Sequence, residues 1–102
     1  MKVIIEAGNP ADAVVALLQG RLDTAAAVDV TPDFQTLSKY ADRHIVIDCG
    51  GLEYIASSGL RLLLALRKEV AAKSGKLQLR NINNDIRQVF AMTGFISLFE
   101  II

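Results

Sequence analysis

Three features of the sequence predict an α/β fold built on a mixed sheet. Residues 3–5 and 14–18 are apolar, largely β-branched runs on either side of turn residues, and read as an antiparallel hairpin. Residues 44–49 are apolar almost throughout, as in a parallel strand covered on both faces. Segments with helical spacing alternate with these strands. The chain has 102 residues, enough for one domain over residues 1–102. Such a domain buries roughly 60–70% of its unfolded surface and needs neither a metal nor a disulfide to fold.

In order along the chain, the first strand leads into Gly8-Asn9-Pro10, which is turn chemistry. The second strand is expected to end at Gly20-Arg21. Residues 24–31 are ambiguous: Thr24 and the alanines favour helix, whereas Val28, Val30 and Pro32 do not. Pro32 fits the first position of a helix capped by Thr31, running to about Tyr40 with Phe34, Leu37 and Tyr40 inward. Gly50-Gly51 should end the central strand. A long helical pattern then runs from Ser58 to about Lys73 and closes at Ser74-Gly75. Residues 76–80 alternate at period two, as in a half-exposed strand. A helix over 84–93, begun by Asn84 or Asp85, stops at Gly94, and residues 96–102 form a last short strand or helix. The sheet therefore has four to five strands, with right-handed βαβ crossovers.

Composition narrows the function. Hydrophobic residues make up 52% of the chain, which excludes a disordered tail. Eleven basic and eleven acidic side chains cancel, so no electrostatic footprint for nucleic acid exists. No run approaches about 18 uninterrupted apolar residues, and Glu6 and Pro10 interrupt any signal-peptide core, so a cytoplasmic chain is expected. The single cysteine, Cys49, sits in an apolar run and reads as a buried thiol. A single histidine, His44, supplies no metal cluster and reads as structural. The phosphate-binding glycine fingerprints are absent.

One segment carries possible chemistry: Tyr54-Ile55-Ala56-Ser57-Ser58-Gly59-Leu60. A nucleophile elbow needs glycine where Ile55 stands, so a serine hydrolase does not fit. Two readings stay open for the serines. Ser57 or Ser58 caps the following helix, or one of them accepts phosphate where helix amides and dipole tolerate it. On the helix, Leu62, Leu63, Leu66 and Val70 form one stripe expected to face the sheet. Leu60, Leu64 and Ala71, with Arg67 beside them, fall on the other side. That outward stripe is either a docking surface or is covered by the chain itself. Asp23 and Asp48 read as turn or cap groups at strand ends, or as members of the site.

Gly20-Arg21-Leu22-Asp23, then Ile45-Val46-Ile47-Asp48, then the Ser-Ser-Gly-Leu segment occur in the order seen in STAS domains. Met92-Thr93-Gly94-Phe95 resembles the family's end of the last helix. The resemblance covers nearly the whole chain and implies a mixed sheet with helices packed mainly on one face. A short chain of this kind resembles the bacterial anti-sigma factor antagonists. These non-enzymatic proteins bind a serine-kinase anti-sigma factor and free the sigma factor it holds. The kinase phosphorylates the antagonist, and a serine phosphatase reverses this.

Carried over, the resemblance makes Ser58 the phosphoacceptor, Ser57 its neighbour and Asp23 the nearby acidic residue, with Gly59 following. The expected partner-binding residues are Leu60, Arg61, Leu64 and Arg67, and Arg61 is positioned to pair with a phosphate or a partner carboxylate. Many such antagonists carry Asp where this chain has Ala56, which removes a carboxylate beside Ser58. No cofactor, metal, nucleic acid or membrane insertion is implied, and homodimerisation is left open. The alternative is an unphosphorylated accessory subunit of a membrane lipid ABC transporter, docked permanently on its ATPase. A small-molecule or nucleotide sensor is a third reading, unsupported by any phosphate-cradling loop.

Overall fold

The computed structural model describes residues 1–8 and 12–102; Asn9 and Pro10 of the expected turn lie outside the described residues. Among the described residues, five strands form one sheet in sequence order. β1 (Lys2–Glu6) pairs antiparallel with β2 (Val14–Leu22), as the two apolar runs predict. β3 (His44–Ile55) and β4 (Lys76–Arg80) continue the sheet in parallel, and β5 (Glu100–Ile101) closes its edge.

Among the described residues, four α-helices join these strands. α1 (Thr24–Asp29) and α2 (Thr31–Ser38) connect β2 to β3. α3 (Ser57–Ala72) crosses from β3 to β4. α4 (Asn84–Met92) and a 3-10 turn (Phe95–Leu98) lead to β5. The ambiguous stretch 24–31 thus contains a short helix of its own. Asp23 caps it, its Oδ1 accepting a hydrogen bond from the Ala26 N–H at 2.8 Å. Thr31 is helical instead of being the cap of α2, and Pro32 occupies the first turn, where its missing N–H costs nothing. Phe34 and Leu37 are buried, as their spacing requires, while Tyr40 lies beyond the helix and is only partly buried. Asn83, rather than Asn84 or Asp85, caps α4 by accepting from Ile86 N–H at 2.8 Å.

The helices cover one face of the sheet. Val14, Ala16, Leu18 and Leu22 of β2 point into this core at even spacing. On β3 the inward residues are Ile45, Ile47 and Cys49, then Leu52, then Ile55. Two register shifts explain the change of phase. Leu17 pairs with Asp48 but Gln19 with Gly51, and Gly20 pairs with Leu52 but Arg21 with Tyr54. At each shift β3 carries one extra residue, and each extra residue turns the next side chain to the other face. Neither Gly20-Arg21 nor Gly50-Gly51 therefore stops its strand, contrary to the expectation. Gly51 lies at the first shift, where a Cβ would come within 3.0 Å of both the Leu18 carbonyl oxygen and Gln19 Cγ. The strands run on to Leu22 and Ile55, and this extra length carries the starts of α1 and α3 to one place.

Candidate functional site

α3 begins where β3 ends. Ala56 holds the cap position with extended backbone (φ −92°, ψ 171°) and offers no side-chain acceptor. Its N–H donates to the Leu22 carbonyl at 2.9 Å. Leu22 and Ile55 are partners in register, so Asp23 and Ala56 lie one step beyond the same rung of the sheet. The starts of α1 and α3 are consequently neighbours. That juxtaposition joins two sequence segments, Gly20–Asp23 and 54–60, that the spacing alone leaves 30-odd positions apart.

The serines do not cap the helix, so one of their two readings falls away. Ser57 is exposed and Ser58 half-buried, and both already lie inside α3. Neither hydroxyl has a hydrogen-bond partner among the described residues. Gly59 is buried because the first turn of α3 rests directly on the ends of β2 and β3. A Cβ there would meet Leu22 Cγ at 2.6 Å and Ile55 Cγ1 at 2.9 Å.

The expected outward stripe is corrected at Leu60, which is 3% exposed and belongs to the core. The buried arc of α3 centres on Leu63 and Val70, and Leu60 lies only about 60° from Leu63 on a 3.6-residue turn. Leu62 and Leu64 flank that arc on opposite sides, and both are partly buried. Arg67 is also not a free docking side chain: its Nε donates to the Leu98 carbonyl and ties α3 to the 3-10 turn.

The accessible surface beside Ser58 is instead a groove between α1 and α3 of about 220 Å³. Thr24, Val28 and Thr31 line one wall, and Ser58, Arg61 and Leu62 the other. Val28 is 71% exposed, a high value for a valine on a helix. Of the expected site residues, the structure places Ser58 and Arg61 together in this groove. Asp23 caps α1 next to Thr24 and does not itself line the groove, and Ser57 and Gly59 stand on the first turn of α3 with Ser58. Sequence reasoning missed Val28, Thr24, Thr31 and Leu62. Residues 24–31 are ambiguous as a helix, so the exposure of Val28 could not be read from the sequence.

Around the far side of the β2–β3 ends, Arg21 stacks over Tyr54, its guanidinium carbon 4.4 Å from the ring centroid. Arg21 and Tyr54 are register partners and both are exposed. Asp48, expected at a strand end, lies mid-strand in β3. Its carboxylate accepts from Gly50 N–H at 2.8 Å, from Arg80 Nε at 2.9 Å and from Asn81 Nδ2. Burial pushes this carboxyl up, but those donors, Gly50 first, outweigh it and hold it below the usual range. The neighbouring Cys49 thiol is pushed up to about 12 by burial and, secondarily, by the Asp48 charge. It is an inert core group. His44 Nε2 meets Gln78 Oε1 at 2.6 Å, and Gln78 Nε2 donates to Glu100 at 2.8 Å, a polar chain across three strands. Among the described residues, no group of three or more His, Cys, Asp or Glu stands close enough to hold a metal ion. No helix of the described residues is long and apolar enough to cross a membrane.

These features converge on one class. The STAS domain family model matches residues 5–102, and the chain belongs to the STAS domain family. It is 33% identical over 88 residues to BtrV of Bordetella bronchiseptica, which bears the name of an anti-sigma factor antagonist. The match covers 86% of this chain and 76% of that relative. Among solved structures, an anti-sigma factor antagonist from Mycobacterium paratuberculosis superposes with a TM-score of 0.82 at 19% identity, covering 98% of this chain and 83% of the other. The phosphorylated form of the Bacillus cell fate determinant SpoIIAA gives 0.72 at 24% identity, covering 99% and 91%. The fold of both is the mixed sheet with helices on one face described above.

Proposed function

We propose that this chain is an anti-sigma factor antagonist that binds a serine-kinase anti-sigma factor, releases the sigma factor it holds, and is switched off by phosphorylation of Ser58. The reading is one of binding, not catalysis. It is carried by one observation: the half-buried Ser58 hydroxyl, free of internal hydrogen bonds, opens onto a groove whose other wall exposes Val28. Apolar Val28 and Leu62 supply contact area for the kinase, and Arg61 a charged group. SpoIIAA, of the same fold, is known in a phosphorylated form, which supports a phosphorylation switch on this scaffold.

A phosphate on Ser58 adds about 1.5 to 2 negative charges and considerable bulk at the groove wall. Close packing there is disrupted while the sheet and core remain untouched. The docking face is accordingly the α1–α3 groove, with Ser57, Ser58 and Arg61, rather than a Leu60–Arg67 stripe. A serine phosphatase restores binding.

The test uses the full chain with its cognate anti-sigma kinase and ATP. Mass spectrometry should find a single phosphate on Ser58, absent from Ser58→Ala. In a pull-down, Ser58→Ala should retain the kinase and Ser58→Asp should lose it. Modification confined to other residues, or equal retention by both variants, defeats the reading.

A further inference from the structure

We infer that Arg61 holds the phosphate of modified Ser58 within the chain itself, so that the modification closes an intramolecular ion pair along the groove wall. This rests on reading Ser58 as the phosphoacceptor. Residues three apart on a helix are neighbours, their Cβ atoms about 5–6 Å apart. Ser58 and Arg61 also line the same groove, so both side chains open into one volume.

Arg61 is the cation available for this. It is exposed and has no hydrogen bond or ion pair among the described residues. Of the nearby arginines, Arg21 stacks on the Tyr54 ring, Arg67 holds the Leu98 carbonyl and Arg80 pairs with Asp48, while Arg87 stands on α4, which does not line the groove. No carboxylate lines the groove to compete, since the wall opposite α3 consists of Thr24, Ala27 and Val28 of α1 with Thr31 at the start of α2. Asp23, the acidic group next to Thr24, already accepts from Ala26 N–H. A guanidinium presents a planar fork that matches two phosphate oxygens. Ser58 is half-buried, so the pair forms where water is partly excluded and screening is weakened.

The consequence is a change in what a partner meets. Before modification the groove carries one exposed positive charge. Afterwards it carries a pinned arginine and a net charge of about −0.5 to −1. An acidic group on the partner loses its counter-charge at the same moment that the phosphate arrives.

Phosphoserine installed at position 58 by genetic encoding makes the test independent of any kinase. Phosphorus NMR follows the second phosphate ionisation with pH. In the unmutated background its midpoint should lie below the ordinary value of about 6. Arg61→Gln should raise it by roughly half a pH unit or more, Arg61→Lys should preserve part of the depression, and Arg21→Gln should leave it unmoved. The Arg61 Nε–H resonance should become protected from exchange only in the phosphorylated chain. An unchanged midpoint in Arg61→Gln, or an equal rise in Arg21→Gln, overturns the inference. A kinase that ignores Ser58 would defeat the functional reading and leave this measurement standing.

Discussion

A methyl group on Gly59 would stand 2.6 Å from Cγ of Leu22. The first turn of α3 therefore sits on the end of β2 with no room for a side chain, and the height of Ser58 above the sheet is set by that contact.

Gly59→Ala consequently tests the seating of the site. In an open helix interior the change stabilises by about 1 kcal/mol. Here, overpacking should cost about 1–3 kcal/mol instead, read as a fall in the urea unfolding midpoint. A rise in that midpoint would show that α3 stands clear of Leu22 and Ile55.

The corrected face of α3 makes a paired prediction. Leu60→Ala should cost about 2–5 kcal/mol, as expected for a leucine removed from a packed core. Leu64→Ala, on the partly buried flank, should cost roughly 1 kcal/mol. Thermal unfolding of both variants decides the matter, and equal losses would contradict the burial of Leu60.

Much of this site was legible in the residues, and the errors are instructive. The start of α3 was placed within one residue, although Ala56 and not a serine holds the cap, and the β1–β2 pairing followed from local chemistry. The position of Leu60 did not, because α3 carries leucine at 60, 62, 63, 64 and 66. With so many, periodicity fits more than one centre for the buried arc. Only the packing of Gly59 on Leu22 selects it. The length of β3 was missed for a related reason. Gly50-Gly51 resembles a terminator, yet Gly51 allows close approach of β2 at a bulge, and Gly50 sits against the Asp48 carboxylate. The α1–α3 groove depends on that bulge, so its lining could not be assembled from spacing.

Asp48 gives a pH signature. Its folded ionisation lies below the ordinary 3.8, so its contribution is full above about pH 5 and is lost as pH falls through 3.8 and below. Asp48→Asn should cost about 1–3 kcal/mol near neutrality, because Gly50, Arg80 and Asn81 lose a charged acceptor. Arg80 is 40% exposed, so screening keeps the figure from the upper end. The stability gap between the two proteins should narrow on acidification from about pH 6 to about pH 3. A constant gap would place the effect in packing.

Cys49 should be silent in the folded chain. With its thiol pushed up to about 12 and its side chain buried, an aromatic disulfide reagent at about pH 8 should label it only after urea unfolding. Prompt labelling of the native protein would mean that the core opens at β3.

The hydrogen bond from Ala56 to Leu22 fastens two helix starts to adjacent strands before any partner arrives. A recognition surface assembled in this way surrenders little conformational entropy on association. On the proposed function its affinity has no folding step to be tuned by, which leaves electrostatics as the dial: a phosphate on Ser58, written and erased, would move the equilibrium while the scaffold holds still.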